Sequence, residues 1–208
     1  MYEDHGEEPL MEALSDGLVS DQILVEQLAR GQAASFDALF LRHYDRVYGL
    51  LFRLVGNRAE AEDLAQEAFI RLHTQAKNDR LRRDENNVGA WLYRVALNLG
   101  YNALRAQKRR WQHDVHLVPA ETTGNEVEKD IARREERRLV HEVLRALPKR
   151  QAQLLLLRQM DFSYAECAEV CKVAPGSVGT LLARAADSFR RTYNARLSSQ
   201  APHSGEEK

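Results

Sequence analysis

Residues 147–191 read LPKRQAQLLLLRQMDFSYAECAEVCKVAPGSVGTLLARAADSFRR. Before them, Leu139, Val143, Leu144 and Leu147 share one helical face, and Pro148 stops that helix because proline has no N–H to continue it. Arg150 to Met160 makes the next helix, with Leu154, Leu155 and Leu157 inward. Ser163, followed three residues on by Glu166, is a capping-box start. It opens a short helix to about Cys171 that is expected to bury Tyr164, Cys167 and Ala168. A turn at Lys172-Val173-Ala174 follows, and Pro175 suits the first turn of a further helix. The inward stripe of that helix is Val178, Leu181, Leu182, Ala185 and Phe189. Its outward face carries Ser177, Thr180, Arg184, Ser188 and Arg191. The block therefore reads as a helix-turn-helix. Small hydroxyl residues at the start of its second helix, then arginines, suit docking in a DNA major groove, with bases and phosphates sharing the contacts. A plain helical hairpin would show the same inward stripe, so the reading rests on the outward face.

Upstream, helical periodicity continues. Phe36, Leu39, Phe40, Val47, Leu50, Leu51 and Leu54 follow one stripe, ended at Gly56-Asn57 as a Gly or Asn cap should end it. Ala61, Leu64, Ala65, Ala68, Phe69 and Leu72 form a second stripe, and Leu92, Val95, Ala96, Leu99 and Ala103 a third. A shorter helix near Gln22 to Arg30 precedes them and stops at Gly31. Alternating β-branched runs are missing, which predicts an all-α protein. Two small helical domains are expected, at 21–111 and 133–194. A flexible linker, 112–132, contains Pro119, Thr122, Thr123 and Gly124 and has no sustained apolar face. Residues 1–20 hold six acidic residues and no Lys or Arg, a mobile acidic leader, and 195–208 is a polar tail.

The outward faces of the first block differ from each other. Asp63, Gln66, Glu67 and Ile70 lie at i, i+3, i+4 and i+7, an aliphatic centre with a charged rim that suits a protein partner. A solvated face with one stray isoleucine would look the same. On the next helix, Trp91, Arg94, Asn98, Tyr101, Asn102 and Arg105 lie off the apolar stripe. Aromatic rings stack on bases, amides read base edges and arginines hold phosphates. Lys77, Arg80, Arg82, Arg83, Asn86 and Asn87 precede this helix, and Lys108, Arg109 and Arg110 end it. The pattern suits single-stranded nucleic acid, against the alternative of a partly buried tryptophan among solvated cations.

Charge does not point the same way by itself. The 208 residues carry 30 Lys+Arg against 31 Asp+Glu, a net charge of −1, so a nucleic-acid signal rests on distribution alone. Two cysteines, Cys167 and Cys171, make neither a disulfide framework nor a four-ligand zinc site. Cys167 falls on an inward position and reads as a small buried hydrophobe. No GxxxxGK[ST] loop or GxSxG elbow is present, and acid/base catalysis has no specific support. No apolar run approaches the roughly 20 residues of a membrane span. A cytoplasmic protein without enzyme activity, metal, cofactor or membrane insertion is expected.

Three segments in series, DLAQEAFIRL (Asp63 to Leu72), WLYRVALNLGYNALRAQKRR (Trp91 to Arg110) and LPKRQAQLLLLRQMDFSYAECAEV (Leu147 to Val170), resemble the extracytoplasmic-function sigma factors of bacterial RNA polymerase. The order and spacing match over about residues 21–194. The resemblance implies that Asp63, Gln66, Glu67 and Ile70 bind core RNA polymerase. It implies that the loop within Lys77 to Val88 captures a flipped base of the promoter −10 element, so that Arg80, Arg82, Arg83, Asn86, Asn87, Trp91, Arg94, Asn98 and Arg105 form the −10 surface. Ser177, Thr180, Arg184, Ser188 and Arg191 would then face the −35 element, and the linker would thread toward the active-site channel. Core RNA polymerase and promoter DNA are the implied partners. Family members are often held inactive by an anti-sigma factor, a further candidate partner.

Three departures stand out. The family's VKSRL-like run is here Val178-Gly179-Thr180-Leu181-Leu182, the usual Leu-Gly of the turn is Cys171-Lys172, and Asn102 replaces an acidic residue. They argue for altered promoter preference. The rival reading is a stand-alone helix-turn-helix transcriptional regulator. Such a protein would need neither the acidic stripe nor the basic-aromatic helix.

Overall fold

The structure, a computed structural model, describes residues 19–78, 87–113 and 129–200. Among these residues there are eight α-helices and no strand. They are α1 (Asp21–Ala29), α2 (Ala33–Val55), α3 (Arg58–Lys77), α4 (Val88–His113), α5 (Lys129–Ala146), α6 (Lys149–Gln159), α7 (Tyr164–Cys171) and α8 (Val178–Gln200), with a 3₁₀ turn, Pro175–Ser177, before α8. The chain forms two compact units that divide within α4, between Ala106 and Gln107. Most of the expected leader and most of the expected linker lie outside the described residues. The last helix runs past 194, to Gln200.

Local chemistry sets the helix ends of the first unit. The Ser20 hydroxyl accepts from the Ile23 N–H, the Asn57 side chain from Glu60, and the Asn87 side chain from Ala90 at 2.8 Å. Gly56 ends α2 at φ +81, a left-handed conformation that costs glycine little. Asn57 therefore caps the following helix instead of closing the preceding one. Leu24, Val25 and Leu28 of α1 and Leu39, Leu50, Leu51 and Leu54 of α2 are all buried. The α3 contribution is mostly small, Ala61, Ala65, Ala68 and Ala76 with Phe69 and Leu72, which lets helices approach closely. At Gly100 of α4 a Cβ would stand 2.6 Å from Leu54 Cδ2, so any larger residue there would make the Leu54 side chain shift.

The apolar stripe of α2 included Phe36 and Phe40 but not the three rings that continue their row. Phe36, Phe40, Tyr44, Tyr48 and Phe52 stand every fourth residue, with neighbouring ring centroids at 6.4, 4.7, 6.1 and 6.0 Å. Phe69 of α3 reaches Phe40 at 4.8 Å. Such ring pairs contribute on the order of 1 kcal/mol each beyond their burial.

In the second unit, Leu139 and Val143 of α5, Leu154, Leu156 and Leu157 of α6, Cys167, Ala168 and Val170 of α7, and Val178 and Ala185 of α8 form the core. Leu155 was expected inward, but Leu156 takes the buried place and Leu155 is half-buried. Tyr164 was also expected to be buried, and it is 51% exposed. Phe162, completely buried just before the cap, occupies the core position, which turns Tyr164 outward. There the Arg158 guanidinium lies 5.4 Å from the Tyr164 ring centroid, and Arg158 also donates to the Phe162 carbonyl.

Candidate protein and nucleic-acid interfaces

On α3 the cap at Asn57 and the buried alanine stripe fix the rotation of the helix. Asp63, Gln66 and Ile70 are consequently exposed and Glu67 half-buried, all on the side away from the core. Ile70 is 59% exposed, a large apolar side chain standing in solvent. Glu67 accepts from Arg71 Nε at 2.8 Å, an i,i+4 pair whose exposed setting makes it weak and easily exchanged for another cation. The four expected residues thus share one surface.

On α4, Asn87 caps the first turn, and Trp91, Arg94, Asn98 and Arg105 follow at spacings of 4, 3, 4 and 7, which keeps them on one face. Asn87, Asn98 and Arg105 are exposed, while Trp91 and Arg94 are half-buried. Part of the Trp91 side chain is thus accessible to solvent. From Asn87 to Arg105 the face extends about 27 Å. Arg80, Arg82, Arg83 and Asn86 lie outside the described residues.

The last helix of the second unit, α8, follows a capped helix and a tight turn. The box is complete: Ser163 Oγ accepts from the Glu166 N–H at 3.2 Å, and Glu166 Oε2 accepts from the Ser163 N–H at 2.7 Å. Lys172 closes α7 at φ +51, and the Val173 N–H reaches back to the Ala168 carbonyl at 3.0 Å, a Schellman-type end. Lysine thus takes a left-handed place that glycine would fill without strain, at a local cost of about 1–2 kcal/mol. Ser177, Thr180, Arg184 and Arg191 are exposed. Ser188 is half-buried and accepts from Arg191 Nη2 at 3.4 Å. Four of the five expected residues therefore present to solvent, with Ser188 supporting the fifth position along.

Cys167 and Cys171 are both buried, and burial pushes both thiols up, Cys171 to about 12. These are packing residues of the turn, since thiolates carry cysteine reactivity. Among the described residues no group of His, Cys, Asp or Glu could hold a metal ion. No helix of the described residues is long and apolar enough to cross a membrane.

Two helical units, one carrying an acidic face centred on Ile70 beside an aromatic-amide-arginine face and one built as a helix-turn-helix, are the arrangement to set beside known transcription proteins. Known proteins agree. Residues 39–110 match the sigma-70 region 2 family and residues 137–187 the sigma-70 region 4 family. The chain is 35% identical over 187 residues to the RNA polymerase sigma-H factor of Pseudomonas aeruginosa, covering 85% of this chain and 95% of that one. It is 32% identical over 182 residues to the ECF RNA polymerase sigma-E factor of Escherichia coli K12, covering 82% and 93%. The fold is shared with the CnrH protein solved in complex with the cytosolic domain of CnrY, at a TM-score of 0.56, 22% identity and coverage of 88% and 100%. It is shared also with the sigma factor RpoE of Bartonella quintana, solved with the anti-sigma factor NepR, at 0.50, 19% identity and coverage of 76% and 96%. This chain belongs to the extracytoplasmic-function sigma factors of bacterial RNA polymerase.

Two features near these faces had no signal in the sequence. One is the outward Tyr164–Arg158 pair. The other is a hydrogen bond from α4 to α2 through Tyr93 and His43, residues 50 apart in the chain.

Proposed function

We propose that the α3 face of Asp63, Gln66, Glu67 and Ile70 docks on core RNA polymerase. The α4 face of Asn87, Trp91, Arg94, Asn98 and Arg105, joined by Arg80, Arg82, Arg83 and Asn86, takes the melted −10 strand. Ser177, Thr180, Arg184 and Arg191, with Ser188 behind them, read the −35 element. The chain lends promoter choice and strand melting to the polymerase and performs no catalysis of its own. It works in the cytoplasm, without a cofactor, and an anti-sigma factor is a candidate regulator. The carrying observation is the coexistence on one unit of an acidic face centred on exposed Ile70 and an aromatic-amide-arginine face on the adjacent helix. A repressor acting on duplex DNA alone needs only the helix-turn-helix, so the stand-alone reading leaves the first unit unexplained.

Replacing Asp63 and Glu67 together by lysine tests the polymerase face. The double variant keeps its helical content, because both side chains lie outside the core, and it no longer co-elutes with core polymerase. Co-elution at the wild-type level would remove this face from the assignment.

A further inference from the structure

A hydrogen-bond relay, largely buried, joins three helices of the first unit. His43 of α2 is 7% exposed. Its Nδ1 stands 2.9 Å from the Tyr93 hydroxyl of α4, and its Nε2 stands 2.8 Å from Asp21 Oδ2 of α1. The other Asp21 oxygen accepts from Arg42 Nη1, which also donates to the Val19 carbonyl at 2.9 Å. Arg46 covers the Tyr93 ring at 5.7 Å. A Cβ at Gly89 would meet His43 Cε1 at 3.1 Å, so the first turn of α4 lies directly against the imidazole.

Apolar side chains of similar shape would hold these helices together equally well, and without the desolvation that buried polar groups suffer. What the relay adds is direction. A hydrogen bond weakens steeply as it bends, so the Tyr93–His43 bond restricts both rotation and sliding of α4 on α2. Tyr93 lies two residues after Trp91 and one before Arg94. Asn87, which caps the same helix, approaches the same Gly89.

We infer that the Asp21–His43–Tyr93 relay positions the first two turns of α4, so that Asn87, Trp91 and Arg94 present one −10-reading face. Tyr93 and His43 are positioning residues, and they touch no nucleic acid themselves. This rests on the reading of α4 as the −10 face.

The test uses the full chain in reconstituted holoenzyme, on duplex templates with a matched or a substituted −10 element. Four variants are compared with wild type: Tyr93→Phe, His43→Leu, His43→Asn and Trp91→Ala. Core binding and thermal unfolding are measured for each. Tyr93→Phe keeps the ring, its packing and the Arg46 contact, and loses only the hydroxyl. Its preference for the matched template is expected to fall about fivefold, the effect of one buried hydrogen bond, while core binding is unchanged. His43→Leu behaves the same way. His43→Asn, whose amide reaches where Nδ1 stands, keeps the Tyr93 bond and restores most of the preference. A role in stability alone would lower the unfolding temperature of all three relay variants and leave the template preference intact. Wild-type preference in Tyr93→Phe beside lost transcription in Trp91→Ala overturns the relay and leaves the −10 face standing. Wild-type behaviour of both removes the −10 face, and the relay's role with it.

Discussion

Asp21 is a residue through which acid should destabilise the first unit. Burial pushes its carboxyl up, but hydrogen bonds and charge from His43 and Arg42 outweigh that and hold it below its ordinary value of 3.8. The sign follows from proton linkage. A carboxyl depressed in the folded state contributes stability above its unfolded value, and that contribution disappears as pH falls through the lower folded value. Wild-type stability is therefore expected to fall below about pH 4, and Asp21→Asn to be less stable at neutral pH but flatter across the acid range. Urea unfolding at a series of pH values measures this; parallel curves for the two proteins would contradict it. At the same scale, the legible residues were those whose partners are close in sequence. Ser163 and Glu166 cap one turn and could be read directly. His43, Asp21 and Tyr93 meet only after three helices have packed, so no spacing announced them. Tyr164 misled because a tyrosine and a phenylalanine competed for one buried place, and the fully apolar ring filled it.

Helices and their turns were legible where an apolar period met a cap, as at Gly56 and Ser163. The aromatic ladder of α2 was only half legible, since tyrosines at Tyr44 and Tyr48 pass as polar residues when the period is counted. The turn before α8 carries an expectation of its own. Lys172 holds a left-handed conformation at φ +51, which disfavours any residue with a Cβ. Lys172→Gly is expected to stabilise the second unit by about 1 kcal/mol, seen as a higher denaturant midpoint with an unchanged slope. A lower midpoint would mean that the lysine side chain supplies a contact worth more than the strain. The α8 face proposed to read the −35 element divides by chemistry. Arg184→Ala is expected to weaken promoter binding at every −35 sequence and lower the salt slope by about one, as a lost phosphate contact does. Thr180→Val is expected to alter preference at one −35 position with little change in that slope, at a cost of roughly 1–3 kcal/mol for the preferred base. Salt titrations of the holoenzyme against a panel of −35 variants separate the two. If neither substitution alters −35-dependent transcription, α8 is not the reader.

The whole molecule consists of two compact units and carries almost balanced charge. A net charge of −1 gives no general affinity for nucleic acid, so DNA contact depends on local faces and on delivery by the polymerase. Gly179 and Leu181 put no basic side chain early in α8, so the second unit is expected to bind DNA weakly alone and promoter binding to require assembly with the polymerase. The most direct measurement follows from this dependence. The purified full chain is added to core RNA polymerase with a library of randomised promoter templates, and the transcribed templates are sequenced. Enriched templates are expected to share two short elements at fixed spacing, only when chain and core are both present. Asp63→Lys with Glu67→Lys should abolish the enrichment. No enrichment over core alone, or an equal enrichment in templates bound by the chain without polymerase, would contradict the assignment.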